Sequence, residues 1–168
     1  TTASGLDPLG NINLGVMVNN SSGNTIGGAA AGDQNVIAGN GNSGIFIINP
    51  GSYSNLVQGN HIGTAADGAE AIGNRGDGVT INNAGTNTIG GMSTGEGNQI
   101  SGNLKAGISL QQYAAANVIQ GNLIGADASG KNALGNAYGG IVLMDAIGNT
   151  IGGTGTAARN LVSGNLQD

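Results

Sequence analysis

The sequence predicts an all-β fold, a parallel β-helix (β-solenoid) of about five three-stranded coils. Three observations lead to this prediction: a pentapeptide that recurs, a strand pattern that recurs between its copies, and a composition suited to strands and turns. The pentapeptide NTIGG begins at Asn24, Asn87 and Asn149, at offsets of 63 and 62 residues. Self-similarity at a fixed period is typical of solenoids, in which each coil covers the apolar face of the next.

The composition excludes several other classes of protein. The chain has 168 residues, with 35 glycines, 8% charged residues and 2% aromatic residues. Glycine disfavours helices, and the glycines do not follow the period of three that collagen requires. The net charge is −5 with only four basic residues, so we expect no nucleic-acid partner. No apolar run is long enough to cross a bilayer, and we expect no membrane insertion.

The first strand of each coil is predicted from a glycine followed by apolar, variable and apolar residues. Alternation with a period of two is typical of a strand with one buried face. The inward residues should form a column through the coils: Val16, Ile45, Val79, Ile108 and Ile141. The outward residues between them should face solvent: Met17, Phe46, Thr80, Ser109 and Val142.

The second and third strands are predicted from aliphatic residues at fixed positions later in each coil. The second strands should bury Ile26, Val57, Ile89, Ile119 and Ile151. The third strands should bury Ile37, Ile62, Ile100, Ile124 and Val162. Equivalent strands pairing in parallel about 4.8 Å apart would make a rod about 24 Å long.

An asparagine precedes the second strand in every coil, and we predict that these residues form a structural ladder. The ladder consists of Asn24, Asn55, Asn87, Asn117 and Asn149. Asparagine tolerates left-handed backbone angles at turns, and its amide can bond to the coils on either side. The loops between strands alternate in length. Long loops are expected at residues 27–34, 90–97 and 152–159, and at 64–77 and 126–139 in the intervening coils.

The strand motifs resemble those of a known superfold. GVTI at residues 78–81 followed by NTIGG, and GISL at 107–110 followed by NVIQGNLIG, are similar to the parallel β-helix repeats of secreted bacterial proteins, the pectate-lyase-like superfold. The resemblance covers essentially the whole chain. It implies a right-handed coil and an extracellular or cell-surface location. Because Thr1 falls in the middle of a repeat, residues 1–168 are interpreted as a single segment of a longer repeat protein.

Enzymes of that superfold hold acids, a basic residue and often calcium on the first-strand face and its loops. None of the outward residues on that face here is an acid or a base, so no catalytic residue is assigned. One cluster remains as a candidate, because stacking should bring Arg75, Asp77 and Lys105 to one corner. The cluster is either a surface ion pair, which we favour, or a uronate-binding or lyase-like site in which a basic residue abstracts a proton.

Other candidate binding residues are few. Tyr53 and Tyr113 lie in corresponding first turns two coils apart, and either contact carbohydrate or cap an apolar corner. His61 aligns with Leu123 and is expected to be a surface residue near a corner. Acidic residues in the long loops are not repeated between copies, because Asp67 aligns with Ser129. We therefore expect no metal site and no cofactor, with a single calcium in a turn as the open alternative.

The predicted function is a non-enzymatic β-solenoid module of an extracellular or cell-surface bacterial protein, serving as a structural spacer or a weak carbohydrate-binding surface. The alternative is a fragment of a lyase-like enzyme that acts on acidic polysaccharides. The expected partners are polysaccharide or flanking β-helix segments of the same chain. End-to-end self-association is a further expectation, because both ends of the rod should expose strand edges.

Overall fold

The computed structural model describes residues 9–167, which form three parallel five-stranded sheets. The strands in chain order are β1 (Val16–Asn19), β2 (Thr25–Gly27), β3 (Val36–Ile37), β4 (Ile45–Ile48), β5 (Leu56–Gln58), β6 (His61–Ile62), β7 (Val79–Asn82), β8 (Thr88–Gly90), β9 (Gln99–Ile100), β10 (Ile108–Gln111), β11 (Val118–Gln120), β12 (Leu123–Ile124), β13 (Ile141–Met144), β14 (Thr150–Ile151) and β15 (Leu161–Val162). A 3₁₀ turn spans Thr156–Ala158.

Each sheet collects every third strand, so the chain passes through all three sheets once per coil. The first sheet contains β1, β4, β7, β10 and β13, the second β2, β5, β8, β11 and β14, and the third β3, β6, β9, β12 and β15. Coil one is therefore β1–β3 and coil five is β13–β15. The predicted all-β solenoid of three-stranded coils is confirmed, whereas its right-handed sense stays a prediction.

The predicted columns of inward residues are confirmed by the strand register. In the first sheet, Ile45 pairs with Val16 on one side and with Val79 on the other. Val79 in turn pairs with Ile108, and Ile108 with Ile141. The columns predicted for the second and third sheets are equally in register, residue for residue.

The core is the inside of the solenoid, and its burial depends on a neighbouring coil on each side. In the middle coils the inward aliphatic side chains, such as Ile81, Ile89 and Ile100, are fully buried. Burying such a side chain contributes roughly 1.5–3 kcal/mol. In coil five the equivalent residues Ile151 and Val162 are almost half exposed, because no further coil packs on them among the described residues.

The outer face of the first sheet differs from the prediction in one respect. Its register is as predicted, with Phe46 beside Thr80 and Thr80 beside Ser109. However, Thr80 and Ser109 are buried, at 5% and 2% exposed, rather than facing solvent. Their hydroxyl groups are covered by neighbouring polar side chains, since Thr80 contacts the Asp77 carboxylate and Ser109 accepts a hydrogen bond from Gln111.

The long loops alternate between coils as predicted. In coils two and four, which we call the even coils, the loop after the third strand folds as a hairpin closed by Thr64 and Ala71, or by Ala126 and Ala133. The two hairpins touch across coil three, because the Ala128 N–H donates to the Gly68 carbonyl over 3.1 Å. In coils one, three and five, the odd coils, the long loop lies between the second and third strands.

The start of the chain at Thr1, on which the interpretation as an excised segment depends, lies outside the described residues. Within residues 9–167, no helix has the length and apolarity needed to cross a bilayer.

Candidate functional site

The most regular polar feature of the molecule is the predicted asparagine ladder, which the structure confirms. At each step the backbone N–H and the side-chain Nδ2 of one asparagine both donate to Oδ1 of the asparagine in the next coil. For Asn55 and Asn87 these distances are 3.0 and 2.9 Å. The same pair of bonds joins Asn24 to Asn55, Asn87 to Asn117, and Asn117 to Asn149. We call this the first-corner ladder.

Sequence reasoning missed two further ladders, one at each of the other corners. The second-corner ladder lies between the second and third sheets and consists of Asn35, Asn60, Asn98, Asn122 and Asn160. The third-corner ladder lies between the third sheet and the next coil and consists of Asn11, Asn40, Asn74, Asn103, Asn136 and Asn165. The sequence carries a signal for the third-corner ladder, because a glycine directly precedes every one of its asparagines.

Each interior rung uses the full hydrogen-bonding capacity of its side chain. Nδ2 of Asn98 donates to Oδ1 of Asn122 over 2.9 Å and to the Val57 carbonyl over 2.8 Å, while Oδ1 of Asn98 accepts from Asn60. An amide side chain has two donor hydrogens and one acceptor oxygen. Nothing of the interior rung is therefore left for a ligand, and the ladders hold coils together.

The left-handed turns of the first corner are not made by the ladder residues, contrary to the expectation. The positive φ angles recur at two other positions of every coil. One is the residue that follows each first strand: Asn20, Asn49, Asn83, Gln112 and Asp145. The other is the residue directly before each ladder asparagine: Gly23, Ser54, Thr86, Ala116 and Gly148. The ladder asparagines follow later in the turn, where the side chain can reach the next coil. Asparagine at this corner therefore has two separate uses, one in the backbone and one in the ladder.

A groove of about 550 Å³ lies on the outer face of the first sheet, over coils three to five. Its lining includes Asp77, Lys105, Ser109, Gln111, Tyr138 and Met144. The groove combines a carboxylate, an ammonium group, a hydroxyl, an amide and an exposed aromatic ring within one concave surface. Tyr138 was not selected from the sequence, because it lies in the long loop of coil four, and the equivalent position in coil two is Gly76 and not a tyrosine.

The candidate cluster is only partly assembled in this groove. Asp77 and Lys105 both line it, whereas the exposed Arg75 is not part of its wall. Asp77 is buried, and both of its oxygens already accept hydrogen bonds. Oδ2 accepts from the Thr80 hydroxyl over 2.9 Å, and Oδ1 accepts from the Ala106 N–H over 3.0 Å. These contacts fix the corner between coils three and four, which gives Asp77 a structural role.

The two tyrosines selected from the sequence are exposed, at 51% for Tyr53 and 70% for Tyr113. They belong to the same corner but not to the same column. Tyr53 pairs with Gly85, and Gly85 pairs with Ala115, so Tyr113 comes two residues before the position that stacks on Tyr53. The tyrosines therefore do not form a regular stacked pair along the rod, and their carbohydrate contact stays a prediction.

His61 lies on the outer face of the third sheet, between Val36 and Gln99 in the register. It is half-buried, and its Nδ1 lies 3.5 Å from the Thr64 hydroxyl. Burial lowers the pKa of His61 below its ordinary value of 6.5, and the neighbouring Gln99 and Asp67 act in the opposite direction. Oε1 of the buried Gln99 has no hydrogen-bond partner among the described residues.

The acidic residues of the loops cap turns. Asp127 accepts hydrogen bonds from the Ser129 hydroxyl, the Asn132 side-chain amide and the backbone N–H groups of Lys131 and Asn132, and these bonds hold its pKa well below the usual range. Asp33, Asp67 and Glu96 each accept a backbone N–H within their own loop. Within residues 9–167, no three His, Cys, Asp or Glu residues are grouped so that they could hold a metal ion.

Comparison of the chain with known protein families, with curated proteins and with solved structures finds no match. The described residues form a β-solenoid joined by three asparagine ladders, with a groove on the outer face of the first sheet over coils three to five.

Proposed function

We propose that this chain is a non-enzymatic β-solenoid module, serving as a structural spacer with a weak carbohydrate-binding surface. The observation that carries the proposal is the continuity of the three ladders. At every coil-to-coil step from coil one to coil five, each of the three corners has an asparagine bonded to the next. A connection repeated in this way at every step favours a role in which the coils hold a fixed shape.

The structural role follows from how the coils are connected. Every coil contributes three strands to parallel sheets and three asparagines to ladders, so a shear or bend between coils must break several hydrogen bonds at once. Such a rod suits the space outside a cell, where a surface protein has to hold a shape between domains. The proposal therefore includes an extracellular or cell-surface location in a bacterium, with flanking solenoid segments as neighbours.

The groove on the first sheet is the surface that supports weak carbohydrate binding. Tyr138 offers an exposed ring against which a sugar can stack, and the side-chain amide of Gln111 offers a polar group beside it. Lys105 adds a positive charge at the rim, which favours an acidic sugar over a neutral one. Tyr53 and Tyr113 are separate, exposed positions that a longer polysaccharide could also contact.

A lyase-like activity on acidic polysaccharides is the second candidate, and it is favoured by Asp77 and Lys105 lining the same groove. Elimination from a uronate requires a base that removes the proton beside the carboxylate and a cation that neutralises the charge that develops. Asp77 is poorly suited to hold that cation, because both of its oxygens accept hydrogen bonds from the protein. This is the reason we prefer the binding role.

The two candidates are separated by incubating the protein with a panel of uronate polymers and calcium while recording ultraviolet absorbance, which rises when an unsaturated product forms. We expect no product from any polymer. Product that is lost in Lys105→Ala but retained in Lys131→Ala, a lysine on the hairpin of coil four, would replace the proposal with the lyase-like function.

Binding without turnover is tested on the same panel by equilibrium titration. We expect millimolar dissociation constants for acidic polymers and roughly tenfold weaker binding by Tyr138→Ala, the size expected for one lost ring contact. Met92→Ala, at an exposed apolar side chain in the long loop of coil three, is the control outside the groove. Equal weakening by both substitutions would show that the groove is not the binding surface.

A further inference from the structure

The C-terminal end of the solenoid, formed by β13, β14 and β15, presents an incomplete coil-to-coil interface. One inward residue from each sheet is exposed there: Leu143 at 44%, Ile151 at 46% and Val162 at 47%. Their equivalents in coil three, Ile81, Ile89 and Ile100, are 0% exposed because coil four covers them. The end of coil five is thus the same surface as the covered face of coil three, without its cover.

The ladders give this end a defined hydrogen-bonding character. Within the rod, every asparagine donates its backbone N–H and Nδ2 toward the next coil and accepts at Oδ1 from the previous one, as Asn117 does with Asn149. The last rungs are Asn149, Asn160 and Asn165, and Oδ1 of each is already occupied by the previous coil. The end therefore presents donors at all three corners and requires a partner with three acceptors.

A concavity of about 490 Å³ at the second corner of this end shows what shape fits there. It is lined by residues 151–156 together with Arg159, Asn160 and Val162. In the rod, the equivalent space beside each odd loop is filled by the short Gly-Asn corner of the following even coil. Gly59 lies between the carbonyls of Gly28 and Gly95, and Gly121 between those of Gly91 and Ala157.

Gly152 and Ser163 of coil five correspond to residues that, in earlier odd coils, contact the following even coil. Gly27 and Gly90 face the backbone carbonyl and the ladder asparagine of the following even coil, whereas the same side of Gly152 is uncovered among the described residues. Ser101 of coil three donates to the carbonyl of Ala126 in coil four over 2.9 Å. Ser163 occupies the equivalent position in coil five, next to the last third-corner asparagine.

We propose that this end is a docking surface for one parallel coil of the even type. The coil presents asparagine at all three corners and a left-handed glycine directly before the second-corner asparagine, as Gly121 precedes Asn122. Its Oδ1 atoms accept from the three terminal asparagines, and its short corner fills the concavity beside residues 152–159. The inference rests on the proposed structural role, in which the module is joined to neighbouring solenoid coils.

The first coil of a second copy does not meet these requirements. Coil one is an odd coil, and its loop at residues 28–34 would meet the loop at residues 152–159 of coil five. Within the rod, odd loops lie two coils apart: those of coils one and three touch at Ala29 and Gly95, and the Gly59 corner of the even coil fits between Gly28 and Gly95. Head-to-tail stacking of two copies would bring two odd loops to one-coil spacing with no room for that corner, so the occupant we choose is an even coil and not a second copy.

The test extends the whole chain beyond Asp168. The first variant carries a copy of residues 107–139, an even coil, and the second carries a copy of residues 78–106, an odd coil. A matched control carries the even extension with Gly121→Val in the appended copy only, which removes the left-handed glycine. Thermal unfolding and hydrogen exchange at the amides of Asn149, Asn160 and Asn165 are measured for all three and for the unextended chain.

We expect the even extension to raise the unfolding midpoint by about 5–10 °C and to slow exchange at the three asparagine amides about 100-fold or more. The odd extension and the valine control should leave the unfolding midpoint and the exchange rates of these amides near the values of the unextended chain. Equal gains from even and odd extensions, or no gain from either, would overturn the proposal. A concentration-dependent dimer of the unextended chain that the even extension abolishes would also overturn it, in favour of a second copy.

These outcomes are independent of the assays that test the proposed function. Lyase activity on a uronate polymer would refute the non-enzymatic role without changing the exchange rates of the terminal asparagines. Failure of the even extension to dock would leave the uronate assays unaffected.

Discussion

Asn87 and Asn117 lie one coil apart, and the backbone N–H and side-chain Nδ2 of Asn87 both donate to Oδ1 of Asn117, at 2.9 and 3.1 Å. Both residues are fully buried. The pair shows how the solenoid places a polar side chain inside its wall, because two donors from one residue meet a single acceptor of the next. Removing such a side chain should therefore lower the free energy of unfolding much more in the middle of the rod than at its end.

Asn87→Ala should lower the free energy of unfolding by about 3–5 kcal/mol. The change leaves two donors of the buried Asn55 and the buried Ser52 carbonyl without the partners that Asn87 supplies. Denaturant unfolding followed by circular dichroism measures the loss. Asn24→Ala is the matched control at the exposed start of the same ladder, and we expect it to cost under about 1 kcal/mol. Similar losses at both positions would contradict the explanation by burial.

Gly121→Ala should destabilise the protein far more than Gly148→Ala, although both glycines have left-handed backbones, with φ of +67° and +64°. A Cβ at Gly121 would collide with the Gly91 carbonyl, whereas nothing lies within 4 Å of a Cβ at Gly148. We expect Gly148→Ala to lower the free energy of unfolding by about 1 kcal/mol, from backbone strain alone, and Gly121→Ala to lower it by at least about 3 kcal/mol.

The two glycine variants are compared by denaturant unfolding under the same conditions. Because the backbone strain is common to both, their difference measures the close packing of the even corner between two odd loops. If Gly148→Ala cost as much as Gly121→Ala, the backbone angle rather than the packing would explain both.

His61 should make stability depend on pH in the range below neutrality. Its folded pKa lies below the ordinary 6.5, so the unfolded chain binds a proton more readily than the folded one. The stability associated with neutral His61 is present above pH 6.5 and is lost as the pH falls through the folded pKa. Unfolding midpoints measured between pH 7.5 and 5 should therefore decline in the wild type.

His61→Leu is the variant that tests this assignment, since Leu123 is the residue two coils further along the same column. The variant should fold and should lose most of the decline between pH 7.5 and 5. A decline of unchanged size in His61→Leu would assign the pH dependence to other groups.

Asp127 should titrate well below its ordinary pKa of 3.8, because four donors stabilise its charged form. The contribution of these bonds to the hairpin is present above pH 3.8 and is lost as the pH falls through the folded pKa. Carbon NMR of the carboxyl group gives the titration midpoint directly. Ser129→Ala removes one donor and should move the midpoint upward. An unchanged midpoint in that variant would show that the Ser129 hydroxyl does not stabilise the carboxylate.

The interior of the fold could be predicted from the sequence almost residue by residue, because inward positions carry little other than aliphatic side chains. Val79 and Ile108 recur at fixed offsets from a glycine, and period-two alternation leaves one way to stack them. The first-corner ladder was equally visible, since NTIGG marks it three times. The second- and third-corner ladders were missed because asparagines such as Asn60 and Asn122 directly follow a glycine between two strands, where asparagine is also common in ordinary turns.

The outer surface was much less predictable, since it depends on which loop covers which strand. Thr80 and Ser109 have the sequence pattern of exposed strand residues, and only the three-dimensional position of Asp77 and Gln111 explains their burial. The groove depends on Tyr138, whose loop has no equivalent tyrosine in coil two. Tyr53 and Tyr113 lie in different columns for a related reason: the turns that carry them differ in length.

The alternation of odd and even coils also constrains how a rod of this kind can change in length during evolution. Deleting one coil would bring two odd loops, or two hairpins, to one-coil spacing where the rod holds them two coils apart, whereas deleting a pair restores every neighbour relationship. The natural unit of gene duplication or loss is then the segment of 62 or 63 residues that separates successive NTIGG motifs. Lengths would be expected to differ in steps of about 9.6 Å, twice the strand spacing.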